Sequence, residues 1–202
     1  MTTSHTADYD VIAVGAGFAG ISLSYHLREA GLNTKIFDRA DDIGGTWTWN
    51  RYPGAATDSE SYYYCLTFSK EVLQEWSWTK RYSGWEETQA YLKFVMDKFS
   101  LWPSFQLSTE VESAEFDNET GLWNVHTGDG KTHTAKYFIS AMGMISQPVI
   151  PNIAGMDSFN GPLFHSSRWP EGLDVAGKRI GIIGAGATTV QMLPEVAKTA
   201  AQ

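Results

Sequence analysis

The 202-residue sequence predicts an α/β protein, and three observations carry that prediction. A glycine-rich turn, Gly15-Ala16-Gly17-Phe18-Ala19-Gly20, stands directly between an apolar run and a helical stretch. A second apolar run ends on an acid, Asp38, about 20 residues beyond that turn. A comparable turn, Gly184-Ala185-Gly186-Ala187-Thr188-Thr189, follows another short apolar run late in the chain. Strand, glycine turn, helix, strand, acid is the order in which a GxGxxG match has structural meaning. The expected architecture is a three-layer Rossmann-like domain carrying a small β-meander, followed by the start of a second Rossmann-like unit.

Each element has a local reason. Tyr9-Asp10-Val11-Ile12-Ala13-Val14 is rich in β-branched residues and reads as a buried parallel strand. A helix from about Ala19 to Ala30 follows, with Ile21, Leu23, Tyr25 and Leu27 as its larger side chains and Gly31 as its stop. Thr34-Lys35-Ile36-Phe37 is the second strand. Arg39 to about Gly84 is expected to be irregular, because Gly, Trp, Tyr and Pro crowd it. Helical spacing returns at about Glu86 to Phe99, where Tyr91, Leu92, Val95, Met96 and Phe99 can share a face. Phe105 to Val111 is expected as one strand. Ser113 to Asp117, Leu122 to Thr127 and Lys131 to Lys136 form the meander, with turns at 118–121 and 128–130. Tyr137 to Ala141 reads as a separate, buried strand that stops at Met142-Gly143. Residues 145–177 are punctuated by Pro and Gly, as a connector would be. Lys178 to Ile183 and a helix from about Thr188 to Ala200 begin the second unit. The expected division is 1–143, 144–177 and 178–202.

Composition narrows the function. Hydrophobic residues are 43% and charged residues 19%, which is globular rather than disordered. A net charge of -8 argues against a nucleic-acid groove or an anionic membrane surface. It leaves room for anionic cofactors, since backbone N–H groups and a helix dipole hold a pyrophosphate without a basic patch. Cys65 is the one cysteine, so an intrachain disulfide is excluded and a reducing, cytoplasmic setting is expected; Cys65 reads as a packed thiol. The polar stretch Met1 to Asp8 lacks the apolar core of a signal peptide, and no run is long enough to span a bilayer. No metal site is assigned.

The motifs say what the turns can do. Gly15 permits the sharp reversal, Gly17 lets the backbone approach a pyrophosphate, and Gly20 permits close helix packing. Asp38 can accept hydrogen bonds from ribose hydroxyls. Two such turns imply two nucleotides, which points to a flavin enzyme reduced by a nicotinamide. In the second turn Gly184 and Gly186 are in place, with Ala187 and Thr188 opening the helix, but Thr189 replaces the third glycine and should loosen the packing there. Gly44-Gly45-Thr46-Trp47-Thr48-Trp49 is a poor surface loop. Its glycines would admit a flat ligand and Trp47 and Trp49 would wall it; a loop folded under a hydrophobic cluster is the other reading. On its residues alone, His165 is a satisfied loop histidine.

Residues 44–58, together with Phe159-Asn160-Gly161-Pro162-Leu163-Phe164-His165-Ser166-Ser167-Arg168-Trp169-Pro170, resemble the Baeyer–Villiger monooxygenases, class B flavoprotein monooxygenases. Their fingerprint is F-x-G-x-x-x-H-x-x-x-W followed by Pro or Asp, and Phe159, Gly161, His165, Trp169 and Pro170 match each fixed position. The resemblance implies that Gly15, Gly17, Phe18, Ala19, Gly20 and Asp38 hold FAD. It places Gly45, Thr46, Trp47 and Trp49 on the flavin side and Asp58 near the isoalloxazine, orienting the family's arginine. Tyr64 and the backbone of Val111 would complete the pocket, and Met142 would sit in a hinge. His165 and Trp169 would couple NADP binding to domain rotation, and Gly184, Gly186, Ala187, Thr188 and Thr189 would meet NADP(H).

The implied reaction is reduction of FAD by NADPH, then insertion of one oxygen from O₂ beside a ketone carbonyl through a C4a-peroxyflavin, giving an ester or lactone. Oxygenation of sulfur or nitrogen by the same flavin chemistry, and a non-catalytic flavin-binding role, are the alternatives. The family's arginine and the rest of its nicotinamide and FAD domains have no counterpart in these residues. A second polypeptide that supplies them is therefore expected, with a fragment of a longer protein or a stand-alone flavin module as the other readings.

Overall fold

A computed structural model describes residues 6–201. Residues 1–5 and Gln202 lie outside it, and with them most of the polar N-terminal stretch and the last residue of the 178–202 segment. Six strands form one sheet: β1 (Tyr9–Val14), β2 (Thr34–Phe37), β3 (Phe105–Gln106), β4 (Val111–Asp117), β5 (Leu122–Thr127) and β6 (Thr132–Ser140), in the order β3-β2-β1-β6-β5-β4. The β3-β2-β1-β6 part is parallel, and β6-β5-β4 is antiparallel. Among the described residues five α-helices accompany it: α1 (Phe18–Glu29), α2 (Thr46–Trp49), α3 (Lys70–Glu75), α4 (Trp85–Lys98) and α5 (Ala187–Val196).

Alternation along β1 builds the layers. Successive side chains of a strand face opposite sides, so Ala13 and Ile12 enter different cores. Ala13 joins Ile21 of α1, Ile36 of β2 and the α4 face of Tyr91, Leu92, Val95 and Met96. Ile12 joins Phe37, Val125 and Ala135, against which Val111, Ala114, Trp123 and Phe138 pack. The sheet therefore curls, and its meander covers the face opposite the helices. This is the expected three-layer α/β arrangement.

Several expected elements change. Phe105 to Val111 is not one strand: β3 stops at Gln106 because Ser108 takes a left-handed turn (φ 51°), and Ser108 and Thr109 donate backbone hydrogen bonds to Ala40 and Asp38. Lys131–Lys136 and Tyr137–Ala141 merge into β6. Its first half pairs antiparallel with β5 and its second half parallel with β1, with Ala135 opposite both Trp123 and Tyr9. The second half is not buried; Tyr137 is 61% exposed. The stretch 39–84 contains α2, α3 and a 3-10 turn at Ser61–Tyr64. Lys178–Ile183 is not a strand, since no described strand offers it a ladder partner, and Ile183 is 75% exposed. The last helix spans Ala187–Val196 rather than reaching Ala200.

Tyr91 ties α4 to the irregular stretch. Its buried hydroxyl accepts the Leu66 N–H at 2.6 Å, and burial pushes its pKa from 10.0 up to about 12. Tyr91→Phe strands that donor and should cost about 1–3 kcal/mol in denaturant unfolding. A phenol held neutral only in the folded state stabilises below pH 10 and loses that contribution as pH rises towards 12. Stability of Tyr91→Phe should therefore fall less steeply than wild type across that window.

Candidate functional site

The first glycine turn is set by backbone collisions. Gly15 has φ +117°, and a Cβ there would lie 2.3 Å from the Ala141 carbonyl oxygen. A Cβ on Gly20 would lie 1.9 Å from the Gly15 oxygen, so α1 packs straight onto the turn. Gly17 is the N-cap of α1 and has no side chain to cap it, which leaves the first helical amides, from Phe18 and Ala19 onward, without that partner. Asp38 braces the turn from β2: its carboxylate accepts the Ala16 N–H at 2.6 Å and the Ala40 N–H at 2.8 Å. Sequence reasoning gave Asp38 only a ribose; the structure gives it these backbone amides first. Each oxygen keeps a second lone pair for a hydroxyl.

The second glycine pair docks on the first turn. Gly44 N–H donates to Ala16 C=O at 2.9 Å, and a Cβ on Gly45 (φ +58°) would stand 3.0 Å from the Gly17 Cα. Thr48 and Gln89 pin this loop through the Ile43 carbonyl, both at 2.8 Å. Gly17 itself has φ -88°, and a Cβ there would meet only ordinary contacts, the nearest at 3.5 Å. The protein's own packing does not demand glycine at 17; a ligand lying on the turn would.

The loop places its aromatics on different sides. Trp47 is buried, edge-on to Tyr64 at 5.7 Å, and Tyr64 is edge-on to Phe18 at 5.6 Å. Burial raises the Tyr64 pKa against a Ser59 hydrogen bond that lowers it, with a smaller rise from the Asp58 charge, and Asp58 itself is exposed. Phe18, Tyr64 and Trp47 thus form a chain of rings from the start of α1, with Thr46 exposed next to Gly45. Met142 lies at the other flank of Gly15, and Val111 begins β4 two residues after Thr109, which is bonded to Asp38. Thr57 Oγ1 is buried and has no partner among the described residues.

Trp49 faces away from Trp47. Its ring lies under the Arg168 guanidinium at 4.4 Å and the Arg39 guanidinium at 5.5 Å, a cation–π bridge between loop and connector. Loss of solvent, then the Arg39 charge, lowers the Arg168 pKa. Sequence reasoning missed both arginines; the only cue was the position of Arg168 beside Trp169. His165 Nδ1 accepts the Ser167 N–H at 3.1 Å and caps the 3-10 turn Ser166–Arg168. With Nδ1 accepting, the proton of the neutral ring lies on Nε2. Trp169 meets Phe164 edge-on at 5.3 Å and packs against the cluster of Tyr52, Ala55, Met192 and Val196.

The second turn differs from the first as its third position requires. Gly184 has φ +131°, and Gly186 caps α5 with no side-chain bond and open space where its Cβ would stand. Ala187 and Thr188 open α5. Thr189 Oγ1 donates to Gly184 C=O at 3.1 Å, so a hydroxyl spans the gap that Gly20 closes in the first turn. Since Lys178–Ile183 forms no described strand, the expected looser helix–strand packing has no strand to act on, and the turn is bridged by this hydroxyl instead.

Residues 9–202 match the flavin-binding monooxygenase-like family. A Baeyer-Villiger monooxygenase of Pseudooceanicola batsensis is 45% identical over 195 residues, which is 96% of this chain and 36% of that protein. A phenazine N-monooxygenase of Lysobacter antibioticus is 42% identical over 201 residues, 99% of this chain and 37% of the relative. Among solved structures, the OTEMO complex with FAD and NADP superposes with a TM-score of 0.91 at 36% identity, covering 97% of this chain and 38% of that one. The chain thus spans a little over a third of the length of these relatives. Among the described residues, no helix is long and apolar enough to cross a membrane.

Proposed function

The chain belongs to the flavin-binding monooxygenase-like family, and from that premise we propose that it forms the FAD-binding part of an NADPH-dependent Baeyer–Villiger-type monooxygenase. One observation carries the reading: Gly17 and Gly45 meet backbone to backbone at the uncapped start of α1. Bare helical amides attract a pyrophosphate, and two glycines in contact let a flat group lie against the main chain. The orphaned Thr57 hydroxyl fits a partner that is not protein.

In this reading Gly15, Gly17, Phe18, Ala19 and Gly20 hold the pyrophosphate side of FAD. Asp38 takes the ribose, with the Val111 backbone and Met142 beside it. Gly45, Thr46, Trp47 and Tyr64 border the flavin side, Asp58 sets the charge there, and Trp49 holds the connector through Arg168. FAD, when bound, supplies the redox chemistry and the activation of O₂. The residues of this chain orient it and keep water away. The segments 1–143, 144–177 and 178–202 serve as FAD part, connector and beginning of the nicotinamide part. His165 and Trp169 lie in the connector, and Gly184, Gly186, Ala187, Thr188 and Thr189 face the nicotinamide nucleotide.

Residues beyond these 202, in the same polypeptide or a second one, complete both nucleotide sites. Insertion of oxygen beside a ketone is the reading favoured by the Baeyer-Villiger relative. The phenazine N-monooxygenase favours nitrogen oxygenation as the second reading, and product analysis with a ketone and a heteroaromatic amine separates them. The first test is simpler: the chain together with the residues that complete its sites, mixed with FAD and passed through a desalting column, should emerge yellow, with a flavin absorption band. Quantitative elution of FAD as free cofactor would reject the proposal.

A further inference from the structure

We propose that Gln191 is a positioning residue: its side-chain amide ties the helix behind the second glycine turn to the loop bearing Asp58, so that nucleotide binding at 184–189 is felt beside the flavin. The inference rests on the cofactor assignment above and goes beyond it.

Gln191 Nε2 donates to Ala56 C=O at 2.9 Å, and Gln191 Oε1 receives the Ala56 N–H at 3.4 Å. Tyr52 donates its hydroxyl to the same Oε1 at 2.8 Å. On its other side Ala56 forms an antiparallel bridge with Gly84, and Thr57 N–H donates to Ser83 C=O at 2.9 Å. Ala56 is therefore gripped like a residue inside a sheet, with a side-chain amide in place of one neighbouring strand.

Only an amide presents a donor and an acceptor side by side, and glutamine has the reach that asparagine lacks. The approach is close enough to dictate backbone. Gly54 has φ +77°, and a Cβ there would lie 2.6 Å from the Gln191 carbonyl oxygen and 2.9 Å from Glu195 Cγ. Met192 and Val196 bury the same helix face against Tyr52 and Ala55. Gln191 sits five residues beyond Gly186, the N-cap of α5, and Ala56 two residues before Asp58. A tilt of α5 when its N-terminus meets an anion moves the amide as one body with the helix, and the amide moves Ala56. No other described side chain makes this double contact.

The test compares wild type, Gln191→Leu and Tyr52→Phe, each in the protein that carries the residues completing both nucleotide sites, by hydrogen exchange at residues 54–58, with and without NADP⁺, and by the visible spectrum of that FAD-loaded protein during the same titration. In wild type, NADP⁺ should slow exchange of the Ala56 amide and perturb the flavin band. In Gln191→Leu, Ala56 should exchange about tenfold faster, as expected for a lost net hydrogen bond of about 1.4 kcal/mol. That variant should still bind NADP⁺, yet leave both the loop and the flavin band unmoved. Tyr52→Phe, which removes only one bond to Oε1, should show a reduced response; it also serves if Gln191→Leu does not fold. An undiminished flavin response in both variants, or no NADP⁺ effect on Ala56 in wild type, overturns the proposal. A colourless chain instead rejects the cofactor assignment, while the exchange arm, which needs no flavin, still decides the role of Gln191.

Discussion

Gly15→Ala should unfold the chain or cost at least about 3 kcal/mol, because a strained backbone and an overpacked contact add at one residue. The φ of +117° is foreign to an L side chain, and the added methyl would stand 2.3 Å from the Ala141 oxygen and 2.7 Å from its carbon. Neither neighbour can swing aside. Ala141 follows β6, whose pairing with β1 runs up to Val14, and Ala141 N–H is bonded to Val14 C=O at 2.8 Å. Relief would require prising β6 from β1 at the centre of the sheet. Gly31→Ala is the control. It shares a positive φ of +73° but has nothing within 4 Å of the added Cβ, so only the backbone term of about 1 kcal/mol remains. Denaturant midpoints of the two variants measure the difference. Equal midpoints would show that the close approach of Ala141 does not constrain the turn.

Gly17→Ala should do the reverse: leave stability within about 1 kcal/mol of wild type and weaken FAD binding by roughly 10- to 100-fold. The backbone of Gly17 is ordinary for any residue, and its nearest contact for a new Cβ is 3.5 Å, to the Gly45 Cα. The methyl would instead sit between the turn and Gly45, at the backbone contact where the proposed FAD lies against the main chain. Thermal unfolding of the apoprotein and equilibrium titration with FAD separate the two effects. FAD bound as tightly by Gly17→Ala as by wild type would mean that the pyrophosphate lies elsewhere. Paired with Gly15→Ala, this tests whether the glycines of one motif divide by cause, Gly15 and Gly20 held by the protein's own packing and Gly17 by the proposed ligand.

The legible parts of the molecule were those with local causes. β1, β2 and β5 lie where β-branched and aromatic runs put them, and α1 and α4 begin and end within a residue or so of the helical spacing. Failures share a different cause. β6 was divided in two because its halves have different partners, antiparallel on one edge and parallel on the other, and pairing partners are not local. Lys178–Ile183 has the composition of a strand and no ladder among the described residues, so composition was not sufficient. Trp47 and Trp49 are two residues apart, yet one ring enters a core and the other spans two arginines, one of them 119 positions further along the chain.

The glycine spacing and the strand-end acid were enough to read a Rossmann-like α/β chain, because a glycine turn between strand and helix is a short-range requirement of backbone shape; the family was legible from the resemblance of residues 44–58 and of the fingerprint around His165. The contacts that join its parts came only from the folded chain: Gly45 against Gly17, Arg168 on Trp49, Gln191 around Ala56. These pairs are separated by 28 to 135 positions and have no periodicity of their own. They exist because the sheet and α1 first bring distant segments within reach, and only then can hydrogen bonds and ring contacts choose among the side chains present.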